Sequence, residues 1–198
     1  MKSAKDFFNG LASSWDEICQ HDMDKVEFIL NLVGIQQGSK VLDVGTGTGV
    51  LIPSLYRRTT SLGHIKAIDL AEKMIEIAQE KNKYDNVEFE CGDVLEGNGD
   101  QASYDHIICY SSFPHFQCKA TAIAKLSQKL KKGGKLTICH SQSREMINHL
   151  HQRSADPVKG DNLPAMEIIR QYYHRAGLKV LKEVDDQAMF VLIGGSFQ

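Results

Sequence analysis

Between Lys40 and Cys139 the chain alternates short β-rich runs with longer stretches of helical period. Lys40 to Val44 (KVLDV), His64 to Leu70 (HIKAIDL), Asn86 to Cys91 (NVEFEC), Asp105 to Cys109 (DHIIC) and Lys135 to Cys139 (KLTIC) predict strands. NVEFEC alternates as a half-buried strand does, whereas DHIIC is a continuous apolar run suited to burial on both faces. Between them, Val50 to Arg58, Ala71 to Asn82 and Thr121 to Leu130 predict helices, with Met74, Ile75 and Ala78 making an apolar stripe on the second. Pro53 falls in a first turn, where its missing N–H costs nothing. Gly133-Gly134 predicts the stop of the third helix, and the neighbouring Lys129, Lys131 and Lys132 suit its C-terminal dipole. Strands alternating with helices of this length imply parallel pairing through right-handed crossovers.

The two ends depart from that alternation. After a helix at Ala165 to Ala176, the runs Leu178 to Asp185 and Ala188 to Ile193 are separated only by Asp186 and Gln187. So short a connection demands an antiparallel hairpin. Residues 1 to about 35 carry helical patterns, with Val26, Ile29, Leu30 and Val33 on one face, and residues 141–164 form an insertion after the fifth strand. Within it, a helix starting near Ser143 is expected to bury Met146, Ile147 and Leu150. Without repeats, low-complexity tracts or a linker, residues 1–198 are expected to form one α/β domain with a mostly parallel sheet.

Composition narrows the picture. Of 198 residues, 42% are hydrophobic and 24% charged, as in a water-soluble globular domain. No run approaches the ~20 apolar residues of a membrane helix, and MKSAKDFFNGLASSWDE is not a secretory signal, so a cytoplasmic location is expected. A net charge of −2 and the lack of a basic tract argue against nucleic acid as partner, which calls for a positive face. The odd and widely spaced Cys19, Cys91, Cys109, Cys118 and Cys139 argue against a disulfide framework or a structural zinc site. Cys91, Cys109 and Cys139 lie in apolar runs and read as core residues.

The chemistry concentrates at predicted strand ends. In VLDVGTGTG, Gly45, Gly47 and Gly49 join a strand to a helix, where glycine lets a ligand approach backbone N–H groups. Asp43 lies inside the apolar strand, where a carboxylate needs a partner; a bound ammonium group would supply one, and pinning of the loop amides is the other reading. Asp69 ends the second strand about 20 residues beyond the glycines, placed to bind ribose hydroxyls. Asp93, in CGDV after the third strand, can accept from an adenine amino group. Each acid alone reads equally as a cap or turn residue, but three at successive strand ends point to one ligand.

These motifs together resemble the class I S-adenosylmethionine-dependent methyltransferases over nearly the whole chain. VLDVGTGTG is similar to that family's first motif, AIDLAEKMIEIAQ to its second and CGDV to its third; YDHIICYSSFPHF and LKKGGKLTIC resemble its fourth- and fifth-strand motifs. The resemblance implies a Rossmann-like seven-stranded sheet of order 3-2-1-4-5-7-6, the seventh strand antiparallel, in agreement with the terminal hairpin. It implies S-adenosyl-L-methionine as cofactor. Gly45 and Gly47 would approach its methionine part, Asp69 its ribose, Asp93 and the backbone of Val94 its adenine, with Tyr110 near the methionyl end; Trp15, Asp43, Thr46, Leu70 and Met74 complete the expected binding set. A nicotinamide dinucleotide enzyme would instead show G-x-G-x-x-G, and this loop reads G-x-G-x-G.

The methyl acceptor is less constrained. The segment YSSFPHF lacks the (D/N)-P-P-(Y/F) pattern of many adenine and amide-nitrogen methyltransferases, and no Lys-Asp-Lys-Glu set suggests ribose methylation. A small-molecule acceptor is therefore expected; protein or RNA methylation, or a non-catalytic cofactor-binding subunit, are the alternatives. His115, His140, Arg144, Asn148 and His151 are the candidate catalytic residues, the last three sharing one flank of the helix after Ser143 by i, i+4, i+7 spacing. Histidine suits a general base and Arg144 would hold a carboxylate or phosphate. Solvent-facing residues on an amphipathic helix are the plainer reading of the same spacing. No metal is expected. FFNGLASSWDE, with Phe7, Phe8 and Trp15, fits either a lid over the cofactor or a helix anchored by its aromatics.

Overall fold

The computed structural model of the chain describes residues 3–96, 100–154 and 157–196. Met1, Lys2, Ala155, Asp156 and the last two residues, which the sequence reading includes in the lid, the insertion and the domain, lie outside the described residues. The strands are β1 (Lys40–Val44), β2 (His64–Asp69), β3 (Val87–Cys91), β4 (Tyr104–Tyr110), β5 (Leu130–His140), β6 (Leu178–Asp185) and β7 (Phe190–Ser196). They form one sheet of order β3-β2-β1-β4-β5-β7-β6. β1 to β5 pair in parallel, and β7 runs antiparallel to both β5 and β6.

Alternating side chains of the sheet feed two apolar layers. Leu42, Ile107, Cys109, Leu136, Ile138 and Leu192 pack on one face against Ile123, Leu126, Ile169 and Tyr173 of α6 (Lys119–Lys129) and α8 (Met166–Arg175). Val41, Ile65, Ile108, Cys139 and Val191 pack on the other against α3 (Met23–Val33) and α4 (Ile52–Thr59). On α3 the expected stripe Val26, Ile29, Leu30 and Val33 is fully buried. That helix starts at Asp22, whose side chain accepts from Lys25 N, and stops at Gly34 in the left-handed conformation (φ 73°). α5 (Glu72–Lys81) covers β2 and β3. No described helix is long and apolar enough to cross a membrane.

Three local expectations are corrected. α6 does not run to Gly133-Gly134: it ends at Lys129, and Leu130 turns directly into extended backbone (φ −73°, ψ 139°). The glycine pair lies inside β5, where pairing with β4 slips between Tyr104 and His106; a Cβ on Gly134 would sit 2.8 Å from the Tyr104 carbonyl oxygen. The glycines thus serve close backbone approach rather than a helix stop. Lys131 pairs with Asp105 instead of a helix terminus. Second, α7 (Arg144–Arg153), capped by Ser143, buries Ile147 but leaves Met146 and Leu150 half exposed, 50% and 46%. Third, Cys91, the last residue of edge strand β3, is exposed, while Cys109 and Cys139 are buried as expected.

Candidate functional site

The loops at the carboxyl ends of β1 to β5 open into one cavity of about 510 Å³, roofed by α1 (Ala4–Leu11) and α2 (Trp15–Ile18). This is the edge at which open α/β sheets bind ligands. Its floor is the glycine loop. Gly45 and Thr46 donate their N–H groups to the Ile68 carbonyl at 2.8 and 3.1 Å, fastening the turn to β2. Gly45, Gly47 and Gly49 all take positive φ (70°, 55°, 83°), and a Cβ on Gly45 would overlap Ser112.

The three acids stand at this floor. Asp69 accepts from Gly47 N and from Ala71 N, each at 2.9 Å, so it ties the loop to the start of α5. Asp93 accepts from Leu95 N at 2.8 Å. Asp43 is buried and accepts from the Thr46 hydroxyl at 2.7 Å. Burial, reinforced by the charge of Asp69, pushes the Asp43 carboxyl up to about 7. An ionised carboxylate at this place has no cation beside it among the described residues. The predicted cofactor residues Trp15, Asp43, Gly45, Thr46, Gly47, Asp69, Leu70, Met74, Asp93, Val94 and Tyr110 all line the cavity. The pinning of loop amides that the sequence offered as the alternative for Asp43 falls instead to Asp69, which also lines the cavity.

The roof is tied down mostly by polar contacts. Asn9 bridges to Glu72 and to Lys73 N, Lys5 pairs with Glu72, and Asp16 receives Thr48 at 2.5 Å and Lys81 at 2.6 Å. Trp15 and Phe8 meet edge to face at 5.5 Å and pack against Ala12, Ala71 and Met74. Behind them the Tyr110 hydroxyl lies 2.8 Å from both His21 Nδ1 and Ser141 Oγ. Burial pushes Tyr110 up to about 12 and His21 below the ordinary imidazole value. His21, Ser112 and Ser141, ordinary polar residues in loops, and Asp16, on the polar side of short α2, carry no periodic signal in the sequence.

Of the five acceptor candidates, His115, His140 and His151 line the cavity; Arg144 and Asn148 do not. The Arg144 guanidinium turns outward, donating to Asp185 of β6 at 3.1 Å and to Glu145 at 2.8 Å. Asn148 clamps the insertion instead: its Nδ2 donates to the Leu163 carbonyl at 3.0 Å and its Oδ1 accepts from Leu163 N at 2.7 Å. Leu163, only 1% exposed, buries there as the loop's anchor. On one helical flank, i, i+4 and i+7 share a direction only roughly, and the outermost residue finds β6 before it finds the cavity.

The histidines differ in environment. His115 Nδ1 donates to the Asp161 carboxylate at 2.7 Å, and His151 Nδ1 donates to the Asp161 carbonyl at 3.0 Å. The rings of Phe8, His115 and His151 follow one another at centroid spacings of 5.1 and 5.0 Å. Burial, reinforced by the neighbouring His115 and His151, presses His140 down to about 3, so its ring is neutral; its buried Nε2 has no hydrogen-bond partner. Among the described residues no three His, Cys, Asp or Glu side chains are gathered as metal ligands would be. Asp161 was missed by the sequence reading, where KGDN looks like an ordinary turn.

Comparison with known proteins accords with this geometry. A methyltransferase-domain family model matches residues 35–183. The chain is 34% identical over 131 residues to a malonyl-[acyl-carrier protein] O-methyltransferase of Acetivibrio thermocellus, covering 65% of this chain and 46% of that one. It is 28% identical over 120 residues to a demethylmenaquinone methyltransferase of Staphylococcus aureus, covering 60% and 49%. The chain thus spans about half the length of these curated relatives. A SAM dependent methyltransferase from Aquifex aeolicus shares the fold, with a TM-score of 0.72 at 23% identity over 98% of this chain and 99% of that one. The family match covers most of the chain and the sheet order agrees with it: the chain belongs to the class I S-adenosylmethionine-dependent methyltransferases.

Proposed function

We propose that this enzyme methylates a small, uncharged and largely apolar molecule held beside the cofactor in the same cavity. The observation that carries this is the lining. Phe7, Phe8, Leu11, Ile18, Phe116, Ile147, Leu150 and Val158 surround the space next to the histidines, and no Lys or Arg lines it among the described residues. An apolar pocket with a few polar groups is the usual form of a small-molecule site. A malonyl carboxylate, the kind of group in one relative's name, would find no cation to hold it. RNA would meet neither a basic groove nor an open face.

S-adenosylmethionine, when bound, supplies the activated methyl group. The residues of the chain hold and enclose it. Asp43 receives the ammonium of the amino-acid part, the loop glycines, free of side chains, let that part approach the backbone, and Asp69 and Asp93 take the hydroxyls and amino group of the nucleoside. α1 and α2 shut out water, which strengthens every polar contact within. Holding acceptor and methyl in line removes much of the barrier.

The test is calorimetry with S-adenosylhomocysteine, followed by transfer of labelled methyl to neutral, anionic and cationic small molecules, to total RNA and to protein. Tight binding and labelling of neutral apolar compounds are expected. Preferential labelling of carboxylates, RNA or protein would overturn the reading.

A further inference from the structure

We infer that His115 and Asp161 form a general-base pair that takes the proton from a hydroxyl group on an apolar, ring-like acceptor. The inference rests on the methyltransferase reading of the cavity and assigns chemistry to the part of it that the cofactor residues leave over.

The geometry is that of an oriented base. A carboxylate only accepts, so the 2.7 Å contact fixes the proton of neutral His115 on Nδ1 and leaves the Nε2 lone pair free to act. Both partners are shielded, with side-chain exposures of 21% for His115 and 13% for Asp161. Asp161 is itself held: Asn148 grips Leu163 two residues on, and His151 Nδ1 binds the Asp161 carbonyl. Asn148 and His151 are thus positioning residues for the base. A buried imidazole nitrogen without a partner, His140 Nε2, belongs to a ring lining the same cavity.

The class of acceptor follows from acidity. A thiol, with an ordinary pKa of about 8.5, supplies its own anion near neutral pH, and a free amine attacks without prior proton loss. A phenol-like hydroxyl, at about 10, gains most from a base. Phe8, Phe116 and the ring of His151 give such a body an aromatic wall. In the step, the O–H bond breaks and its proton goes to His115 Nε2. The oxygen's electron pair forms the new O–CH₃ bond as the methyl–sulfur bond breaks, and S-adenosylhomocysteine leaves. Asp161 steadies the imidazolium so formed.

The charged and titratable groups around His115 are Asp161 from the insertion loop, His151 from α7, His140 from β5, Asp69 from β2 and, through its field on Asp161 and His151, Lys119 from α6. None but Asp161 bonds the ring, so replacing Asp161 is the way to isolate its influence.

4-Nitrophenol tests the pair, because its anion is yellow and its methyl ether is not. It is bound to the S-adenosylhomocysteine complex at a pH below its own ionisation. Wild type is expected to develop the anion band, H115Q to show none, and D161N to need a higher pH for the same signal. With S-adenosylmethionine and phenol itself as acceptor, whose pKa of about 10 leaves it un-ionised near neutral pH, H115Q is expected to be roughly 10²- to 10⁴-fold slower, the usual range for losing a general base. Unchanged affinity for S-adenosylhomocysteine in both variants shows that they fold and that the cofactor reading stands. Loss of that affinity in wild type would sink the cofactor reading instead. The base assignment is overturned by an equal anion band in H115Q, by wild type binding 4-nitrophenol without ionising it, or by failure to bind it while binding S-adenosylhomocysteine. It is equally overturned if thiophenol is methylated faster and H115Q leaves both rates unchanged.

Discussion

Asp43 and Asp161 show what a single carboxylate can mean in different surroundings. Asp43 sits in an apolar strand, where burial raises it to about 7 in the absence of a cation. An ammonium-bearing ligand prefers the ionised form, so binding below pH 7 must expel a proton. The affinity for S-adenosylhomocysteine is therefore expected to fall about tenfold per pH unit below that point, by linkage. D43N, which still accepts from Thr46, should bind more weakly at high pH and lose the slope; calorimetry across the range measures both. This acid was legible in the sequence because a charge inside KVLDV is costly without a reason. Asp161 was not, since an acid in a glycine turn needs none, and its partner His115 is 46 residues away. Contacts made only by folding leave no mark in local composition.

At the scale of elements, the strands were readable because burial on one or two faces imposes a period on the chain. Most ends came out within two residues of the expectation, and Leu178–Asp185 coincided with it. Where reading failed, the cause was one pattern serving two ends. The apolar stripe of α7 reports amphipathicity, but it does not say whether the stripe meets core or cavity. Ile147 meets both the core and the cavity, while Leu150, half exposed, meets the cavity alone. Gly133-Gly134 carries the signature of a helix stop and serves strand packing. The Arg144, Asn148, His151 flank was similarly split between β6, the loop and the cavity. α7 and the loop act as a unit, which predicts the effect of N148A. Losing both contacts to Leu163 should free the loop and raise the KM for 4-nitrophenol about tenfold, an effect of the size of two ordinary hydrogen bonds. Affinity for S-adenosylhomocysteine should stay put; steady-state kinetics beside calorimetry separates the two.

For the whole molecule, the buried histidines couple folding to acidity. His140 is pressed to about 3 and His106 to about 4, chiefly by burial, whereas in the unfolded chain both titrate near 6.5. Between those values the unfolded state binds more protons, so their contribution to stability is whole above pH 6.5 and is lost as pH falls toward 3. Asp43 acts in the opposite sense, since its folded form keeps a proton up to about 7 that the unfolded chain releases near 3.8. A comparison within one background isolates the histidine. The Tm of H140Q relative to wild type is expected to rise steadily as pH is lowered from about 6.5 to 4, the interval set by those values. Parallel Tm curves would show that His140 takes up its proton without unfolding.

The division of the cavity between strand-end turns and the segment from Ser141 to Leu163 has a further consequence, in evolutionary terms. The donor half is written in short turns locked to the sheet, where Gly45 tolerates no side chain and Asp69 stitches two elements together. The proposed acceptor side adds to His115 and Phe116 a helix and loop held to the core at Ile147, Val158 and Leu163. Mutation can therefore redraft the second without disturbing the first. A lineage built this way keeps its reagent and exchanges its clientele, and the seam between Ser141 and Leu163 is where such exchange would be recorded.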